Sequence, residues 1–85
     1  MNYSQAKARQ TELYQAEKEA GDRLKAIPGV GSGPMGLTPD SVKASPEYRK
    51  AKADYDLAFA NLRSFNSWFT RTFKKEIRQE RRDRS

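Results

Sequence analysis

The chain has 85 residues, of which 35% are hydrophobic and 33% charged, and its 17 basic and 11 acidic side chains leave a formal net charge of +6. A domain of this size and composition builds only a marginal core, and the absence of cysteine excludes disulfide staples and thiolate chemistry. With no histidine either, the commonest general base and metal ligands are missing, no apolar run approaches the ~20 residues that span a bilayer, and the polar start, residues 1–7, lacks a signal-peptide core. These features predict one cytoplasmic helical domain over residues 1–85, not an enzyme, with no metal or cofactor.

A first helix is predicted over 4–26, with Ser4 as its N-cap and an interior of good helix formers. Its apolar stripe, Ala6, Leu13, Ala16, Ala20, Leu24 and Ile27, is narrow and mostly alanine, and Gly21 weakens the helix. Such a helix needs an aromatic partner face.

Residues 28–45 form a linker. Pro28, Gly29, Gly31, Gly33, Pro34, Gly36 and Pro39 break any regular element, and Thr38-Pro39-Asp40 is expected to open one short helical turn capped by Thr38. Val30, Met35, Leu37 and Val42 are candidates to fold back onto the helices, with the rest mobile. Gly29-Val30-Gly31-Ser32-Gly33 lacks the preceding strand and following Lys-Ser/Thr of a nucleotide fingerprint. Leu24-Lys25-Ala26-Ile27-Pro28-Gly29-Val30-Gly31 resembles the turn of a helix-hairpin-helix DNA-binding motif. The resemblance covers eight residues and implies that glycine amides of the turn face a DNA phosphate. The family's second helix begins straight after that turn, whereas Gly33, Pro34 and Gly36 intervene in this chain.

Ser45-Pro46-Glu47 then supplies a cap, a first-turn proline and a carboxylate at the positive end of a helix dipole. From Tyr48 the apolar side chains fall at Ala51, Tyr55, Ala58, Leu62, Phe65, Phe69, Phe73 and Ile77, one face of a helix. Neither glycine nor proline interrupts it, so a long helix is predicted over 46–82, roughly 55 Å at ~1.5 Å per residue.

The fold expected is therefore all-α: an antiparallel two-helix hairpin with a long C-terminal helix, residue i of the first helix lying near residue 72 − i of the second. In that register Leu13 meets Phe59, and Phe73, Ile77 and the basic end project beyond the first helix. Phe59 and Trp68 are expected on one poorly covered flank. Self-association into a four-helix bundle, burying Phe59, Phe65, Phe69 and Phe73, is expected to complete the core.

Charge is concentrated at the C-terminal end, where residues 71–85 hold seven basic and three acidic side chains. On an unbroken helix Arg71, Lys74, Arg78 and Arg81 form one stripe, flanked by Lys75 and Arg82, with Trp68 at its border. Glu76 and Glu80 share a face, where pairing of Glu80 with Arg84 is the simplest role. An aromatic beside cations suits a protein hot spot, and equally base stacking with phosphate contact. The sequence reading is a small non-enzymatic binding protein. It acts by protein–protein contact through Trp68, Arg71, Phe73, Lys75, Arg78 and Arg82, as an accessory or modulator of a host nucleic-acid-processing machine. The phage and plasmid accessory proteins it is compared with are an analogy of size and composition only. The alternative is direct nucleic-acid binding through Arg71, Lys74, Lys75, Arg78, Arg81 and Arg82. A membrane-surface role is disfavoured, because acidic residues interrupt the apolar side after Phe73.

Overall fold

The computed structural model describes residues 1–84, whose regular structure is all helical, with no strand among them. Helix α1 runs Tyr3–Lys25, a four-residue α2 Asp40–Lys43, α3 Pro46–Thr72 and α4 Lys74–Arg84, with a single 3-10 turn at Pro34–Gly36.

The N-cap of α1 is Asn2, not Ser4. The Asn2 side chain accepts from the Gln5 amide at 2.8 Å and the Gln5 side chain accepts from the Asn2 amide at 3.0 Å, a reciprocal capping box. Ser4 as cap would put Lys7 where the returning acceptor belongs, and a lysine has none to offer.

The segment between α1 and α3 is a hydrogen-bonded loop. Gly33 donates to the Leu37 carbonyl at 2.8 Å, and Gly31 donates to Thr38 Oγ1 at 3.2 Å. Thr38 thus ties the loop together, and Pro39 takes the N-cap position of α2. Gly29 has φ +90°, and a Cβ there would lie 2.6 Å from Val42 Cγ2, so this turn accepts only glycine. Val30 and Val42 are half-buried, whereas Met35 and Leu37 face outward at 98% and 65% exposure. Ser45 links α2 to α3 as expected of a cap: its hydroxyl donates to the Val42 carbonyl and accepts from the Tyr48 amide.

Helices α1 and α3 lie side by side and antiparallel. Tyr3 stacks on Phe69 with centroids 5.7 Å apart, and Tyr55 donates to Glu17 at 3.2 Å, both in the 72 − i register. Gln10, which donates to Asn66 at 2.9 Å, and Gly21, which meets the Tyr55 ring, lie one turn further along α3. The register therefore sits between the two, and Leu62 rather than Phe59 fills the seam: Leu62 is buried and Phe59 is 48% exposed. Gly21 serves the packing, since a Cβ there would stand only 3.3 Å from Tyr55 Cε2.

The long helix is broken. Phe73 takes φ −112° and ψ 32°, outside the helical well, and α4 leaves in a new direction. The expected projection of Phe73, Ile77 and the basic end beyond α1 is replaced by a fold-back. Ala6, Phe69 and Phe73 form a buried cluster against which Tyr3, Phe65 and Ile77 pack. Tertiary contact overrides local helix preference here: a straight helix would leave Phe73 and Ile77 in water, whereas the bend buries Phe73 to 7% exposure. Two of the four rings assigned to a dimer interface, Phe69 and Phe73, are therefore covered within one chain.

Candidate binding surface

Glu80 fastens α4 to the start of α1. It accepts a hydrogen bond from the Tyr3 hydroxyl, from Lys7 Nζ at 2.6 Å and from Arg84 Nη2 at 2.7 Å. The last is the pairing along α4 that sequence spacing suggests. The first two reach across 77 and 73 residues of chain, and nothing in the sequence announces them. The Lys7 hydrogen bond, followed by that of Tyr3, holds the Glu80 carboxyl down at about 2, against a smaller desolvation effect. The same bond pushes the Tyr3 phenol above its ordinary value. Tyr3, Lys7, Gln10, Thr70, Arg81 and Arg84 rim the open groove between α1, α3 and α4, floored by Phe69 and Ile77.

The break at Phe73 redistributes the residues chosen from sequence. Phe73 belongs to the core, not to the surface, which removes it from the set of contact residues. Arg71 stays on α3, exposed, with its Nε donating to the Ser67 carbonyl at 3.2 Å. The single stripe Arg71–Lys74–Arg78–Arg81 does not form, because it requires one unbroken helix. On α4, Ile77 and Glu80 face inward, and the exposed Arg81 and Arg84 edge the groove. Helical spacing puts Lys75 and Arg82 opposite them, with Lys74 and Arg78 alongside. Lys74, Lys75 and Arg78 are exposed and make no ion pair or hydrogen bond among the described residues. The outer side of α4 is therefore a cationic face.

Trp68 is 37% exposed. Its ring meets Phe73 edge-on, at 5.6 Å and 87°, and lies tilted on Phe65 at 5.5 Å. The indole is thus braced from behind by the core and open in front. Leu57, 63% exposed, lies eleven residues earlier on the same ridge of α3. Phe59 is nine residues from Trp68, half a turn out of phase, so the two do not share the flank that was expected for them. Phe59 instead borders a separate groove with Tyr14, Glu17, Leu62, Arg63 and Asn66.

The turn that resembles a helix-hairpin-helix motif does not lead into a second helix: α1 ends at Lys25 and α2 begins at Asp40. Its Gly31 amide is taken by Thr38, so it does not point outward to receive a phosphate. No group of three or more His, Cys, Asp or Glu side chains gathers as a metal site among the described residues, and no helix is long and apolar enough to cross a membrane. Set against known protein families, curated proteins and solved structures, the chain matches none.

Proposed function

We propose that this chain is a non-enzymatic helical binding protein that acts by protein–protein contact, as an accessory to a nucleic-acid-processing assembly. The observation that supports it is Trp68, an indole held rigid by Phe65 and Phe73 and open to solvent, with Leu57 on the same ridge and Arg71 one turn on. A preorganised aromatic anchor next to an arginine is the composition of an interface hot spot, because the side chain loses little freedom when it is covered. Capture of partners from nuclease-treated lysate, with wild type and Trp68→Ala in parallel, tests the reading. Partners held by wild type and lost from a Trp68→Ala protein of unchanged helicity support it; equal capture by both removes Trp68 from the contact.

Direct nucleic-acid binding is the second reading, supported by the unpaired Lys74, Lys75 and Arg78 on the outer side of α4. Anisotropy titrations with labelled single-stranded and duplex DNA and RNA across salt concentrations test it. Neutralising these three cations by glutamine should flatten the salt dependence, each lost phosphate contact lowering the slope by roughly 0.7–0.9. A slope unchanged by all three substitutions refutes it.

A further inference from the structure

Helix α4 joins α3 with no loop between them. Thr72 closes α3, Lys74 opens α4, and Phe73 alone leaves helical backbone. The local sequence does not ask for that break. Neither glycine nor proline occurs from Glu47 onward, and the lysines, arginines and glutamates around the bend favour continuous helix. The bend is held by contacts with other elements: Ile77 against the Ala6–Phe69–Phe73 cluster, and Glu80 on Tyr3 and Lys7. Local preference and tertiary contact are therefore opposed across one residue. A short hinge under such opposition is the setting in which identical elements exchange between molecules.

We propose that α4 exchanges between two copies of this chain: Phe73 returns to helical backbone, α3 and α4 fuse into one helix over 46–84, and each copy's Ile77 and Glu80 seat on the Tyr3 and Lys7 of the other. The occupant is a second copy because the receiving surface already fits α4 in its own chain, down to the carboxylate between a phenol and an ammonium. Straightening carries α4 away from its own receptor. From residue 72 to residue 84 a helix advances about 18 Å, so the arm leaves the seat open for its counterpart. Each copy gives one arm and takes one, so the product is a closed two-fold dimer and not a filament. The exchange keeps every contact between α1 and α4 and removes two helix breaks. It opposes the entropy of association, so the dimer grows with concentration. None of this rests on which ligand the surface takes.

Two variants and one distance measurement test the exchange. Lys7→Glu and Glu80→Lys each place like charges at the fastening, within a chain and within a homodimer alike. When they are mixed, both arms find opposite charges, but only on the other variant's receptor. Native mass spectrometry and light scattering should show a 1:1 heterodimer after mixing and brief warming, with each variant alone monomeric. A mixture whose profile is the sum of its components overturns the proposal. Should either variant lose its helical signal, the chain with its native fastening decides. Spin labels on cysteines introduced at Ala60 and Gln79, diluted into excess unlabelled protein, report the distance within one chain. An unbroken helix separates these backbones by about 29 Å. That population should grow with total protein, and a single shorter distance at every concentration overturns the exchange.

Discussion

Replacing Phe73 by alanine separates the bent chain from a straight one. On a straight helix the ring would stand in water, and its loss would change stability by no more than about 0.5 kcal/mol. In the structure it is 7% exposed and lies within 5.6 Å, centroid to centroid, of Tyr3, Trp68 and Phe69. A buried aromatic hides roughly 150–200 Å² of surface, which at ~25 cal/mol per Å² is about 4–5 kcal/mol. Allowing for what the alanine methyl still buries and for the cavity left behind, the expected cost is about 3–5 kcal/mol. An 85-residue domain has roughly 4–13 kcal/mol in total, so Phe73→Ala should remove about a quarter or more of its stability. Phe59→Ala is the internal control: that ring is 48% exposed, and its loss should cost under about 2 kcal/mol. Urea unfolding followed by far-UV circular dichroism, at one dilute protein concentration, measures both. The fluorescence of Trp68 should also shift to the red in Phe73→Ala, since the indole loses its edge-on neighbour. If Phe73→Ala costs no more than Phe59→Ala, α4 is not folded back and the core lies elsewhere.

The fastening at Glu80 predicts an acid dependence. Its carboxyl sits at about 2 in the folded chain and near 4.3 when unfolded, so its contribution is complete above ~4.5 and is lost as pH falls toward 2. The thermal midpoint should drop across that window, and less steeply in Glu80→Gln; equal slopes would mean that the carboxylate contributes nothing. Gly29→Ala should destabilise by on the order of 1–2 kcal/mol, since its φ is +90° and Val42 occupies the space a Cβ would need. Wild-type stability in that variant would show that the turn has another conformation. Asn2→Ala should cost about 1 kcal/mol in thermal unfolding and Ser4→Ala under ~0.5 kcal/mol, and the opposite order would return the cap to Ser4.

What could be read in advance follows the range of the forces involved. The main helices come from apolar side chains at helical spacing and from Ser45-Pro46, signals contained within one turn. The Asn2 cap is equally local, since Asn2 and Gln5 stand three apart, as the capping box requires, but Ser4, two residues on, is as good a cap by residue type alone. The opposite placement of Phe59 and Trp68 also follows from counting residues. The break at Phe73 does not. It depends on Lys7 and Tyr3 meeting Glu80 more than seventy residues away, and on burying a ring that local propensity would leave in helix. The basic stripe failed for the same reason, because its geometry was drawn on a helix that tertiary contacts bend.

The placement of the core ties the candidate surface to the hinge. Of the five buried apolar residues, Ala6, Phe69 and Phe73 form one cluster at the end of the chain pair where α4 folds back. Trp68 rests edge-on against Phe73, the residue whose backbone changes when α4 straightens. A ligand that covers Trp68 therefore touches the hinge through one ring, and by linkage its affinity for the bent and straight forms differs by the factor by which it shifts their ratio. The cationic face of α4 moves with the same hinge, since Lys75 and Arg78 turn with Ile77. Trp68 and the α4 cations hold one relative geometry in the bent chain and another in the straight one. A ligand that engages both will select between them, whereas one that engages only Arg71 and the ridge of α3 will not.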